Sequence, residues 1–214
     1  MRASQEFERA AALAPGNARV LKSYGSFAVS MGRTEAGLTA LRRAVTLDPL
    51  NGSNHYFLID ALRSARRNKE SLAAYRNALS FLPDNASLQR ATLATHYALG
   101  DFEKVRSLCE GELKEDPRSD CEGWMAMAYD KLGRHAEAEA SLERTKARWS
   151  DAAAYAYAEI YAQWGDTPKA LEWLETALRL HDVDLQGLKV EPLLDPLRKE
   201  PRFQEIEREL KFPD

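Results

Sequence analysis

Between residues 18 and 49 the apolar positions fall at helical intervals. Leu21, Tyr24, Gly25 and Ala28 are spaced i, i+3, i+4, i+7 and predict one amphipathic helix. Gly32 then breaks it, because glycine adopts the left-handed conformation that closes a helix end at no steric cost. Leu38, Leu41, Ala44, Val45 and Leu47 trace a second stripe, which Pro49 stops. Gly25 and Ala44 are the short side chains that let two such helices approach. Neither helix can bury its stripe alone, so the pair must stack on neighbours.

The phrase repeats. Pro15, Pro49, Pro83 and Pro117 stand 34 residues apart and close similar segments: RAAALAPGN, RAVTLDPLN, NALSFLPDN and GELKEDPRS. A fixed period of this length with a terminal proline marks a helix–turn–helix unit. Gly100, Gly133 and Gly165 hold the turn position in later units, in LGDFEKV, LGRHAEA and WGDTPKA. In residues 52–83 that position is Arg66, which predicts a less relaxed turn. Beyond Pro117 the spacing drifts, with Ser150 following after 33 residues and Asp182 after 32. Short deletions in the connecting loops account for this while the stack continues.

On these residues the chain resembles the tetratricopeptide repeat (TPR) family over roughly residues 3–182. Tyr157, Ala158, Tyr161, Gly165, Ala170, Leu174 and Ala177 follow the family pattern in the last unit. Glu112 departs from it where a small residue is expected, and Cys109 where an aromatic packs, which predicts looser packing or a register shift near 105–115. The resemblance implies an all-α, right-handed superhelical α-solenoid of about five and a half repeats with a C-terminal capping helix. The units would be a partial repeat at 1–17, then 18–51, 52–85, 86–118, 119–150 and 151–182, with the cap at 183–214. Residues 3–15 match a second helix with no first helix before it, so further residues upstream are expected.

The tail, VDLQGLKVEPLLDPLRKEPRFQEIERELKFPD, leaves the repeat. Leu185 and Leu188 suggest a short truncated helix, punctuated by Pro192 and Pro196. Pro201 opens a helix at its favoured first position, with Phe203, Ile206 and Leu210 as its stripe. LKVEPLLDPLRKEPRF is similar to the ending of bacterial TPR regions that follow a winged-helix or nucleotide-cyclase domain. ALRSARRNKESLAAYRNAL is similar to repeats of the same group.

Composition changes this picture little. The chain has 214 residues, 44% apolar and 29% charged, with a mean hydropathy of −0.50. These values exclude collagen-like, disulfide-dense and disordered classes. No run reaches the roughly 18 apolar residues of a membrane span, and MRASQEFERA lacks the apolar core of a secretory signal. Charge is uneven: residues 1–107 sum to +6 and residues 108–214 to −9. Either the asymmetry steers charged partners or helix faces simply vary. The basic half has no Arg/Lys run with interleaved aromatics, which argues against nucleic-acid binding by this chain. Cys109 and Cys121 lack CxxC spacing, so neither a zinc site nor a redox motif is indicated. Two reduced thiols suit a cytoplasmic protein, with a periplasmic location as the alternative for part of a membrane-anchored regulator.

Candidate chemistry is sparse. GxxxxGK[ST], GxGxxG, HExxH and GxSxG are all absent, so no cofactor, no metal and no catalytic residue is assigned, and an enzyme is not expected. His55, His96, His135 and His181 lie in four different units; His96 falls where the repeat places Tyr and reads as a packing residue. Trp124, Trp149, Trp164 and Trp173 could form a ligand cage, but packing is the better reading for most of them.

In proteins of this kind the first helices line a concave groove. Carried over by position, the resemblance implies a peptide-binding groove of Arg19, Lys22, Tyr56, Asp60, Arg63, Arg90, Tyr97, Met127, Asp130, Lys131, Tyr155, Glu159 and Gln163. Aromatics, a Met and Arg forks supply apolar anchors and carboxylate partners. The clamp that binds Hsp70/Hsp90 tails is incomplete: Lys22 fits, but Ser26, Phe57, Ser87 and Ala91 replace its other members. The implied function is a protein-interaction scaffold with a peptide or partner helix in the groove. The alternative is a C-terminal regulatory module of a larger bacterial signalling protein, adenylate cyclase-like or a winged-helix regulator, with its own upstream domain as partner.

Overall fold

The computed structural model describes residues 2–83, 85–116, 119 and 121–212, and among these the regular structure is entirely helical. The chain divides into two compact units, Met1–Thr95 and His96–Lys211. Pro117, the fourth proline of the series, lies outside the described residues.

The first unit contains α1 (Arg2–Leu13), α2 (Ala18–Ser30), α3 (Thr34–Leu47), α4 (Gly52–Ser64), α5 (Asn68–Leu79) and the short α6 (Ala86–Arg90). Each connection is built the same way. Asn17, Asn51 and Asn85, again 34 residues apart, sit just before α2, α4 and α6. Their side chains accept hydrogen bonds from the backbone N–H groups of Val20 (3.2 Å), Ser53 (3.1 Å) and Leu88 (3.2 Å). This satisfies donors that the first helical turn leaves unpaired. At the turn inside each pair a residue with positive φ closes the helix: Gly32 at +82° and, one period later, Arg66 at +60°. The closing bonds match, from Arg33 N to Ala28 O and from Arg67 N to Leu62 O, both 2.8 Å. Arg66 therefore adopts the glycine conformation at a steric cost.

Close packing holds the pairs together. Gly25 of α2 faces Gly37 of α3, and both are buried. One period on, Ile59 and Ser71 take these places, and Ser71 Oγ donates to Ile59 O at 2.9 Å. Val29, Leu38, Leu41, Leu58, Ala61 and Leu62 form one core cluster across α2–α4, and Ile59, Ala78 and Leu88 another across α4–α6.

The repeat pattern predicts an unbroken first helix after Asn85, but α6 ends at Arg90 and α7 (Leu93–Ala98) begins three residues later. Threonine chemistry interrupts it. Thr92 Oγ1 donates to Gln89 O at 2.6 Å, and Thr95 Oγ1 pairs with Ser71 Oγ at 3.0 Å. The Thr92 hydroxyl competes with the helical ladder at the break, whereas Thr95 lies inside α7 and bonds another side chain.

The second unit contains α8 (Phe102–Glu115), α9 (Cys121–Lys131), α10 (His135–Trp149), α11 (Ala154–Trp164), α12 (Thr167–Leu180), two short 3-10 segments at Val183–Gly187 and Pro192–Leu197, and α13 (Pro201–Leu210). Ala158 and Ala170, both fully buried, stand where Gly25 and Gly37 stand in the first unit. The helix around 105–115 is continuous, with no break or register shift. Glu112 is absorbed as a connector: Ser119 Oγ donates to it at 2.5 Å and accepts from Cys121 N at 3.2 Å. Cys109 and Cys121 are not separate thiols. They are disulfide-bonded, with Cα atoms 5.2 Å apart, because α8 and the first turn of α9 pack side by side. The expectation of two reduced cysteines is corrected, and with it the redox argument for a cytoplasmic location. No helix among the described residues is long and apolar enough to cross a membrane.

The tail packs on α11 and α12. Leu188, Leu194, Leu197 and Phe203 are fully buried, and Arg202 pairs with Glu175 of α12 at 2.8 Å.

Candidate functional site

The groove residues fall into both units and are described within each. In the first, Arg19 is exposed in the opening turn of α2. Lys22, one turn on, is anchored: its Nζ donates to Ser53 Oγ at 2.9 Å and lies 5.2 Å from the Phe57 ring centroid. Tyr56 is 38% exposed on α4, edge-on to Phe57 at 5.6 Å. Asp60 accepts from Arg63 Nε (3.1 Å) and Nη2 (2.9 Å), and Arg63 is only 8% exposed. The arginine that sequence position assigns to carboxylate recognition thus has its guanidinium turned to its own helix. Arg90 is half-buried at the end of α6.

In the second unit four of the expected residues join one network. Tyr97 OH donates to Gln163 Oε1 at 3.2 Å, and Gln163 Nε2 donates to Leu193 O in the tail at 2.5 Å. Lys131 donates to the Gln163 carbonyl and to Asp130 Oδ2, while Asp130 Oδ1 contacts His135 Nδ1 at 3.1 Å. Burial, aided by the Asp130 charge, pushes the Tyr97 hydroxyl well above the usual tyrosine range, so it stays a donor. This network ties the first helices to one another and to the tail, with Lys131 and His135 as its exposed members. Met127 and Tyr155 are buried, and Glu159 is half-buried on α11.

Met127 and Glu159 open onto a feature that sequence position did not indicate, a cleft of about 290 Å³ between α9, the end of α10 and α11. Trp124, Trp149 and Ile160 also line it, together with Asp182 and Asp184 from beyond α12. Trp164 and Trp173 do pack: Trp164 Nε1 donates to Ala126 O at 3.3 Å, and Trp173 meets Tyr157 edge-on at 4.8 Å. His96 is half-buried against Asp101, with Nδ1 3.2 Å from Oδ2. Among the described residues no three His, Cys, Asp or Glu side chains stand together as a metal site.

Comparison with known proteins agrees with this architecture. Residues 125–184 match the tetratricopeptide repeat family model, and residues 3–92 match the bacterial transcriptional activator domain. That second match takes in the 61–79 phrase but not the tail. No curated protein sequence matches the chain. Among solved structures, a thermophilic TPR protein of Thermus thermophilus aligns with a TM-score of 0.61 at 19% identity, over 90% of this chain and 98% of that one. YrrB, a TPR protein with an unusual peptide-binding site, aligns with a TM-score of 0.48 at 17% identity, over 87% of this chain and 97% of that one. The fold is all-α and its helix-pair unit is of the tetratricopeptide type.

Proposed function

We propose that this chain is a non-enzymatic protein-interaction scaffold that takes up an extended peptide or a partner helix along its first helices. The observation that carries this reading is Tyr56, a large aromatic held 38% exposed on α4, propped by Phe57, with Arg19 exposed on the neighbouring α2. Exposed aromatics and arginines are usual anchors for a protein partner.

A photo-reactive amino acid at Tyr56, compared with one at Arg43 on the exposed face of α3, tests it in the native host. A defined protein adduct from position 56 and none from position 43 is expected. Equal adducts from both positions, or none from 56, sinks the groove assignment. Arg63 is unsuited to such a test because its burial confounds binding with folding.

The match of residues 3–92 to the bacterial transcriptional activator domain favours a second reading, in which the scaffold serves a domain of its own regulatory polypeptide. The reading frame upstream of the Met1 codon separates the two.

A further inference from the structure

The cleft of the second unit has a chemistry of its own. Trp124 and Met127 of α9, Trp149 of α10 and Ile160 of α11 form apolar walls, while Asp182 and Asp184 add carboxylates to the same lining. Trp149 is 40% exposed. The lining holds no Lys or Arg. Neighbouring cations are engaged elsewhere: Arg144 with Glu122 at 2.8 Å, and Lys146 with Glu143 at 3.0 Å and Tyr161 OH at 3.2 Å. Arg148 lies over the Trp149 ring at 4.9 Å. Asp182 accepts from Tyr155 N (3.3 Å) and Asp184 N (3.0 Å), which fixes its carboxylate at the start of α11. Among the described residues neither Asp182 nor Asp184 forms an ion pair. The surrounding unit, His96–Lys211, carries 17 basic against 25 acidic residues.

A volume of about 290 Å³ lies at the foot of the range for ligand pockets, about 300–1,000 Å³. That suits one long side chain and is too small for a helix. Apolar walls with carboxylates at the edge favour a group that is aliphatic along its length and cationic at its end. A planar guanidinium also stacks on indole and forks onto carboxylates.

We propose that this cleft receives an arginine side chain of a partner segment, with its methylenes on Met127 and Ile160 and its guanidinium between Trp124 and Asp184. This rests on the scaffold reading above and specifies what part of the partner the second unit recognises.

The test uses the full chain and three capped tripeptides, Ala-Arg-Ala, Ala-norleucine-Ala and Ala-Glu-Ala, followed by the indole N–H signals of the four tryptophans. The arginine peptide is expected to shift Trp124 and Trp149 saturably, leaving Trp164 and Trp173 in place, with a Kd in the millimolar range or tighter. Asp184→Asn is expected to weaken it about fivefold to tenfold, with the unmoved Trp164 and Trp173 signals certifying the fold. Equal binding of the norleucine peptide, an unaffected Asp184→Asn variant, or no saturable shift by about 20 mM overturns the proposal. Crosslinking from Tyr56 is independent of these signals. A failed arginine titration with intact Tyr56 adducts removes the cleft alone, and the converse removes only the groove of the first unit.

Discussion

Gly25 and Gly37 face each other where α2 crosses α3. A Cβ on Gly37 would stand 2.6 Å from the Gly25 carbonyl oxygen and 2.5 Å from a Val29 methyl. The obstacle is backbone as well as side chain, so the crossing cannot relax by a rotamer change alone.

Gly37→Ala is therefore expected to destabilise the protein by about 1–3 kcal/mol in urea denaturation. Gly111→Ala supplies the contrast. Gly111 lies in the exposed middle of α8 with nothing within 4 Å of a built Cβ. There the same substitution should stabilise by about 0.5–1 kcal/mol. Losses of equal size at both positions would remove the close-crossing account.

Arg66→Gly should raise stability by about 0.5–1 kcal/mol. The gain from relieving its positive φ is partly offset by the greater freedom of glycine in the unfolded chain. A thermal midpoint that falls would show that the arginine side chain stabilises the turn by more than its backbone costs.

Asn51→Ala should cost about 1 kcal/mol by removing the acceptor for Ser53 N. Asn51→Ser should retain most of that stability, since its hydroxyl accepts the same bond without setting a second carboxylate against Asp48, whose Oδ2 accepts from Asn51 Nδ2 at 3.2 Å. Equal losses in the two variants would contradict a capping role.

Asp166 ties stability to pH. Its carboxylate accepts a hydrogen bond from the Lys169 side chain at 2.8 Å and from the Lys169 N–H at 3.2 Å, and the side-chain bond leads in holding it below the usual carboxylate range. A depressed folded value means the contribution is complete above the unfolded titration, near pH 4. It is lost as pH falls through the folded value. Asp166→Asn should lower the melting temperature near pH 7, with the difference from wild type shrinking as pH falls through the depressed folded value. A difference independent of pH would assign the effect to the cap geometry alone.

Deleting residues 183–214 should expose the apolar surfaces of α11 and α12 that Leu194, Leu197 and Phe203 cover, causing a lower melting temperature or aggregation. Phe203→Ala alone should cost about 3–5 kcal/mol. An unchanged melting curve after deletion would argue against a capping role.

Much of the fold was legible because its determinants are local and periodic. The prolines, the turn glycines and the stripe through Leu21, Tyr24, Gly25 and Ala28 each act within a few residues of themselves. Asn17, Asn51 and Asn85 stood in the same phrases, two residues after each proline, and their spacing before a helical stripe was a readable capping signal. The break after Arg90 was less visible, since threonine also occurs within helices and the turn of Thr92 Oγ1 back to Gln89 O is a local choice that periodicity does not mark. The Cys109–Cys121 pairing depends on how α8 lies against α9. The groove residues were carried over by position, and position does not say whether a side chain turns outward: Arg63 folds back on Asp60, and Tyr97 and Gln163 bond each other. The cleft was out of reach because Trp124, Trp149 and Asp184 come from three separate segments.

The central claim is that partners engage the first helix of each pair. Amide hydrogen exchange of the full chain, alone and saturated with the protein captured from position 56, measures it directly. Added protection is expected in α2, α4, α9, α11 and the last turn of α10 that lines the cleft, with α3, α5, α12 and the rest of α10 unchanged. Protection concentrated in the second helices would contradict it.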